Sequence, residues 1–218
     1  GVTWSGSDTT VFNFGDPGPL IDRNGRFINS YITTSGQMGA SWSTNNGVNW
    51  STTVTIPGST SSSDKNFSAT DDAPSSAFYG RSYTVYTEFA GANLYRLVGS
   101  YTTNGGVSWS SEALISPAAV AGSNYFHQGA DVKCGPNGEV YVVWANQSSV
   151  GGALIEDSLG FAKSTNGGVN WAVSRGNASN MNGIRDFNGT FLNGIRANGF
   201  PRIAVDRTTG PRSGWIYV

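Results

Sequence analysis

Short runs of aliphatic and aromatic residues alternate along this chain with turns rich in Asp, Asn and Gly. The clearest copy comes last, where Pro201–Asp206 is followed by Gly214–Val218. Two strand-like runs separated by a Gly-containing turn predict a β-hairpin. No stretch of 11 or more residues keeps a helical period, so we predict an all-β protein. The pattern occurs at three earlier places: Pro17–Asp22 with Gly25–Ile32, Asp64–Asp71 with Gly80–Phe89, and Gly129–Cys134 with Gly138–Trp144.

After each of the first three hairpins stands a nearly identical segment of eight residues, which we name box 1 (Ser43–Trp50), box 2 (Thr102–Trp109) and box 3 (Ser164–Trp171). Their tryptophans are 59 and 62 residues apart. In each box a hydroxyl and an Asn can bond nearby backbone amides, a Gly can take positive φ, and the Trp can cover the turn. The residues with these roles are Ser43, Asn45, Gly47, Trp50, Thr102, Asn104, Gly106, Trp109, Ser164, Asn166, Gly168 and Trp171.

A third strand leads into each box and a fourth leaves it. We predict third strands near Gln37–Ser43, Leu94–Thr102 and Ser158–Ser164, and fourth strands near Trp50–Ile56, Trp109–Ile115 and Trp171–Ser174. The unit is a four-stranded antiparallel meander, and radial stacking of such meanders gives a β-propeller. We expect one propeller segment over residues 1–218, with blades at about 14–57, 63–116 and 127–175 and the first hairpin of a fourth at 200–218.

The boxes resemble the Asp-box, or BNR repeat, of sialidases and related propellers, whose pattern is Ser/Thr-x-Asp-x-Gly-x-x-Trp. All three boxes carry Asn where Asp is commonest, and Asn keeps the side-chain acceptor. The resemblance implies that each box joins the third and fourth strands of a blade. About three and a half blades do not close a ring, because propellers have four to eight. We therefore expect a fragment of a longer chain, whose remainder closes the propeller; a closed domain of this length is the alternative.

Composition limits the kinds of partner. The net charge is −1 and the 13 basic residues are scattered, so nothing predicts binding to nucleic acid or an anionic membrane. Cys134 is the single cysteine, which excludes an internal disulfide, and we expect a buried small apolar residue there. No run is apolar enough to span a bilayer. Charged residues are only 12%, which favours a secreted or cell-surface protein.

A ligand is expected on the face away from the boxes, because the long connections lie there. These are Ser116–Gln128, Ala145–Asp157 and Arg175–Phe200, and loops longer than about 12–15 residues are usually functional or disordered. Arginines there could clamp a carboxylate, or could be solvated or paired with Asp186. His127, the only histidine, could touch a ligand or be structural. The candidates for this face are Glu88, His127, Asp157, Arg185, Asp186 and Arg196.

The sequence carries no demonstrable catalytic set. The resemblance implies a Glu-activated Tyr nucleophile, for which Tyr86 and Glu88 are the nearest pair, although cross-strand packing explains them equally well. It also implies an aromatic-Arg-Ile-Pro run, whereas Phe200-Pro-Arg-Ile203 has another order. The acidic pairs Asp71-Asp72 and Glu156-Asp157, expected in turns, lack a calcium-loop pattern. We expect no metal and no cofactor.

Three functions remain open at this point. The first is a sialidase-like propeller that binds a glycan or a surface protein. The second is an exo-sialidase or another glycoside hydrolase with catalytic residues outside this segment. The third is a structural scaffold of a surface or secretion assembly.

Overall fold

The computed structural model describes residues 3, 12–117, 126–150, 153–184, 193–195 and 197–218. In these residues the regular elements are β-strands and a single turn of 3₁₀-helix at Gly91–Asn93, so the all-β prediction is confirmed. The strands are β1 (Gly15–Ile21), β2 (Phe27–Ile32), β3 (Met38–Ser43), β4 (Val54–Thr55), β5 (Ser63–Thr70), β6 (Ser82–Glu88), β7 (Arg96–Thr102), β8 (Ala113–Leu114), β9 (Phe126–Cys134), β10 (Val140–Val150), β11 (Ala153–Ser164), β12 (Ala172–Ile184), β13 (Ala204–Val205) and β14 (Ile216–Tyr217).

These strands form four antiparallel sheets in which chain neighbours pair. Sheet 1 is β1-β2-β3-β4, sheet 2 is β5-β6-β7-β8, sheet 3 is β9-β10-β11-β12, and sheet 4 is the hairpin β13-β14. The predicted meander order is therefore present in three full sheets. The fourth strands β4 and β8 are shorter than predicted, with two residues each. The described residues do not form a closed ring.

Consecutive sheets pack face to face, and the first strand of each sheet contacts the first strand of the next. Sheets 1 and 2 share a core that includes Ile28, Met38 and Val98. Sheets 2 and 3 share a larger core around Val85 and Trp144, which also holds Cys134 as a buried apolar residue, as predicted. Burial of apolar surface between sheets is the main favourable free-energy term here. The stacking brings the beginnings of β1, β5 and β9 together on one face.

Two predicted loops are wrong. Ala145–Asp157 is the β10–β11 hairpin, with Ala145 paired to Leu159, and residues 175–184 of the predicted link Arg175–Phe200 continue β12. The acidic pair Glu156-Asp157 therefore lies in β11 and not in a turn. Hydrophobic alternation stops at these strands because they bury polar groups against each other, such as Gln147 against Glu156. Of the link Ser116–Gln128, residues 118–125 lie outside the described residues and Phe126–Gln128 belong to β9.

The three boxes form the same turn. In box 2 the Thr102 hydroxyl donates to Asn104 Oδ1 at 3.0 Å and accepts from the Gly106 amide at 3.0 Å, while Asn104 Oδ1 accepts from the Ser108 amide at 3.0 Å. The matching bonds occur in box 1 and box 3. The predicted hydroxyl and Asn hydrogen bonds of these turns are thus confirmed.

Boxes 2 and 3 also receive an arginine from the preceding sheet, which the sequence did not reveal. Arg26 lies over the Trp42 ring at 4.5 Å and donates to the Gly105 carbonyl at 3.0 Å. Arg81 lies over the Tyr101 ring at 4.1 Å and donates to the Gly167 carbonyl at 2.6 Å. A Cβ on Gly105 or Gly167 would lie within 2.7 Å of these side chains. The boxes therefore join neighbouring sheets as well as closing their own turns.

Replacing Arg81 by alanine should lower the free energy of unfolding by about 2 kcal/mol, because a cation–π contact and a charged hydrogen bond are lost together. Urea denaturation measures the change. The control is Arg212→Ala, since Arg212 is exposed and stacks at 5.6 Å on Trp215 of its own hairpin. Equal effects of the two substitutions would contradict a joining role for Arg81.

Candidate functional site

The beginnings of β1, β5 and β9 share an unusual backbone feature. Each strand has a register shift there, and the residue within the shift has positive φ: Asp16 at 51°, Lys65 at 55° and Gly129 at 71°. Glycine adopts this conformation freely, whereas other residues lose about 1–3 kcal/mol in it. Strain of this kind collects at functional sites. Asp16 and Lys65 are non-glycine residues that lie side by side in this conformation, and they distinguish this end of the stacked strands.

The two strained residues form an ion pair beside a second carboxyl group. Lys65 Nζ donates to Asp16 Oδ2 at 3.0 Å, and the Asp16 carboxyl lies beside that of Asp64. Burial raises the pKa of Asp64, and the neighbouring Asp16 carboxyl raises it further. Burial acts on Asp16 in the same direction, but its interactions with Lys65 and Asp64 outweigh burial and lower the pKa of Asp16 overall. As the pH falls, Asp64 therefore takes up a proton before Asp16.

Sheet 3 completes this cluster through Gln128, at the beginning of β9. Its amide Nε2 donates to Asp64 Oδ2 at 2.8 Å, and the side chain is almost fully buried. First strands of three successive sheets thus supply Asp16, Asp64 with Lys65, and Gln128. We name these four residues the carboxyl cluster.

A cleft of about 650 Å³ opens beside the carboxyl cluster, and Asp64 and Gln128 form part of its wall. This volume is within the usual range of small-molecule sites. The cleft lies between the β2–β3 turn and the loop that enters sheet 2, which are joined by the Ser63 amide donating to the Gly36 carbonyl at 3.1 Å. Two aromatic rings, Phe14 and Phe89, also line it. The remaining polar lining is a set of hydroxyls, from Thr34, Ser35, Ser61, Ser62 and Ser63.

The carboxyl spacing bears on what chemistry the cleft can perform. Two-carboxylate glycoside hydrolases hold their catalytic groups about 5–5.5 Å apart when retaining and about 6.5–9.5 Å apart when inverting. Asp16 and Asp64 are adjacent to each other and only Asp64 lines the cleft, so they do not flank a bound ligand as such a catalytic pair does. Hydroxyls, an amide, a carboxyl group and aromatic rings are instead suited to holding a polyhydroxylated ligand.

Glu88, a predicted ligand-face residue, lies behind the cleft and fully buried. Its carboxylate accepts from the Ser63 hydroxyl at 2.6 Å, from the Thr60 hydroxyl, and from the Thr60 amide at 3.3 Å. It therefore fixes the loop that carries the cleft's serines. Tyr86 is not bonded to it: the phenol donates to Glu112 Oε1 at 2.7 Å in the core between sheets 1 and 2.

His127 lies next to Gln128, but its ring points into sheet 3. His127 Nδ1 donates to Asn146 Oδ1 at 2.7 Å, and the Trp144 indole N–H donates to the same oxygen at 2.7 Å. Burial lowers the pKa of this histidine. The Thr87 hydroxyl donates to its carbonyl at 2.9 Å, so His127 holds the beginning of β9 against sheet 2.

Of the remaining predicted ligand-face residues, the structure describes one, and it does not line the cleft. Asp157 lies half-buried in β11, as the extra residue at the register shift between Glu156 and Ser158. Arg185, Asp186 and Arg196 lie outside the described residues.

The sequence interpretation missed Asp16, Asp64, Lys65 and Gln128. A signal was available for two of them, since an acidic residue stands at the beginning of both β1 and β5, in Gly15-Asp16-Pro17 and Asp64-Lys65-Asn66. Among the residues that the structure describes, no three His, Cys, Asp or Glu side chains form a group able to hold a metal ion. Nor do those residues include a helix with the length and hydropathy needed to cross a membrane.

No protein-family model matches the chain, and no curated protein matches it in sequence. Solved structures do share its fold. A PL25 ulvan lyase is similar with a TM-score of 0.53 and 14% identity over 78% of this chain and 42% of that one. An endo-1,4-β-xylanase from Bacteroides thetaiotaomicron is similar with a TM-score of 0.52 and 15% identity over 87% of this chain and 60% of that one.

A Hadza microbial sialidase is also similar, with a TM-score of 0.49 and 14% identity over 72% of this chain and 36% of that one. The chain thus spans less than two thirds of the length of each of these three structures. Identities this low show a common fold alone. The fold is an all-β stack of antiparallel sheets of the kind found in carbohydrate-active proteins.

Proposed function

We propose that this protein is a β-propeller that binds a glycan in the cleft beside the carboxyl cluster. The observation that carries the proposal is the cleft itself, where hydroxyls, an amide, two phenylalanine rings and the Asp64 carboxyl converge beside strained backbone. Sugars are bound by such combinations of polar groups and ring faces. The carbohydrate-active fold neighbours are compatible with this function. A secreted or cell-surface location belongs to the same proposal.

Closure of the ring by further sheets of the same protein is the second part of the proposal. Sheet 1 turns one face away from sheet 2, and on that face Ile21 is 58% exposed and Asn29 Oδ1 is buried without a hydrogen bond. The corresponding residue of sheet 2, Thr84, donates to Ser30 of sheet 1 at 3.3 Å. A further sheet on sheet 1 would cover the apolar groove there and supply a donor to Asn29.

A glycan array probed with the full-length protein tests the binding function, and release of reducing ends from the same glycans tests hydrolysis. We expect retention of one or more glycans and no turnover, since only Asp64 of the carboxyl pair lines the cleft and the two-carboxylate mechanisms need both groups beside the scissile bond. Turnover would favour the glycoside-hydrolase alternative. If the protein neither bound a glycan nor released reducing ends, the proposal would be overturned and a structural scaffold would be favoured.

A further inference from the structure

The charges around the cleft point to the class of glycan, in an inference that rests on the proposed function. Asp64 is the only charged residue among the described residues that line the cleft. Gln128 is uncharged, and the serine and threonine hydroxyls of the wall carry no charge either. The described wall therefore contains one acidic group and no basic group.

Lys65, the basic residue of the carboxyl cluster, already forms an ion pair with Asp16. Lys65 Nζ is 3.0 Å from Asp16 Oδ2, and the Lys65 amide also donates to that oxygen at 3.3 Å. Pairing Lys65 with a ligand anion would leave Asp16 without its partner beside a second carboxyl group. The third carboxylate of the region, Glu88, lies directly behind Ser63 and adds to the negative potential of the wall.

An acidic sugar in this cleft would place its carboxylate or sulfate beside Asp64, with no compensating cation among the described residues of the wall. Like charges at such a distance oppose binding, the more so when water is partly excluded. A neutral sugar meets no such cost, because its hydroxyls can donate to the Asp64 carboxylate and exchange hydrogen bonds with Gln128 and the serines. We infer that the cleft selects neutral glycans and rejects carboxylated and sulfated ones, with Asp64 as the residue that sets this preference.

The test compares glycans that differ only in an acidic group, such as lactose with 3′-sialyllactose, on an array that carries each backbone in neutral, carboxylated and sulfated forms. The full-length protein should bind the neutral member at least tenfold more tightly than its acidic partner. Equal or tighter binding of acidic members would overturn the inference while leaving glycan binding intact. No binding to any member would overturn the proposed function and this inference with it.

Two further measurements assign the preference to Asp64. Asp64→Asn keeps a polar group beside Gln128. In this variant the affinity for the acidic glycan should come within about threefold of the affinity for the neutral one. Asp72→Asn removes a carboxylate of the ion pair with Arg207 at the other end of β5 and should leave the preference unchanged. In the unsubstituted protein, raising the salt concentration from about 50 mM to 500 mM should reduce the ratio of the affinities for neutral and acidic glycans, because salt screens the charges. An unchanged preference in Asp64→Asn, or at high salt, would contradict the assignment.

Discussion

Replacing Trp144 by alanine is expected to lower the free energy of unfolding by about 3–5 kcal/mol, the usual cost of removing a large aromatic side chain from a core. The Trp144 side chain is 0% exposed in the core between sheets 2 and 3. Its indole N–H also donates to Asn146 Oδ1 at 2.7 Å, so the substitution leaves a buried acceptor with one donor fewer. Chemical denaturation followed by circular dichroism measures the change.

Trp215→Ala is the matched control, because that tryptophan is 55% exposed and its loss should change stability by less than about 1 kcal/mol. Gly160 offers a second check, since a Cβ there would lie 2.0 Å from Trp144 Cε2. Gly160→Ala should therefore be destabilising in the natural chain and much less so beside Trp144→Ala. Additive effects of the two substitutions would show that the contact between Trp144 and Gly160 of the neighbouring strand has been assigned wrongly.

Replacing Asp64 by alanine is expected to weaken glycan binding by about ten- to a hundredfold, which corresponds to losing a charged hydrogen bond of about 1.5–3 kcal/mol. Asp64 lines the cleft and also accepts from the Gln128 amide, so its removal takes away a ligand contact and loosens the wall. Isothermal titration calorimetry with the tightest neutral glycan of the array measures the change.

The control for Asp64→Ala is Asp72→Ala, at the opposite end of the same strand, where an exposed carboxylate pairs with Arg207. Thermal unfolding of both variants separates loss of binding from loss of fold. If Asp64→Ala stayed folded and bound as tightly as the natural chain, the cleft would not be the binding site.

The repeating architecture was predictable because its signals are local. Each box contains its own hydrogen-bond donors and acceptors, and the Gly-containing turns of the hairpins lie within a few residues of their strands. The long β10–β11 hairpin was missed because it buries Gln147 and Glu156, so hydrophobic alternation gave no sign of strands. A pattern of apolar residues cannot report strands whose buried side chains satisfy one another by polar contacts.

The candidate site was less predictable than the fold. Asp16, Asp64 and Gln128 are separated by 48 and 64 residues, and only the stacking of three sheets brings their side chains together. Glu88 and His127, two predicted ligand-face residues, both turn their side chains into the protein, where neighbouring strands supply their partners. The direction of a side chain beside a register shift depends on tertiary pairing, which sequence spacing does not contain.

The position of a bound oligosaccharide shows whether the cleft beside the carboxyl cluster is the binding site. A crystal structure of the protein with the tightest neutral glycan of the array should show a sugar ring in the cleft, in contact with Phe89 and hydrogen-bonded to Asp64. A sugar at the other end of the first strands, in the cavity beside Asp72, Lys133 and Arg207, would show that the cleft is not the binding site.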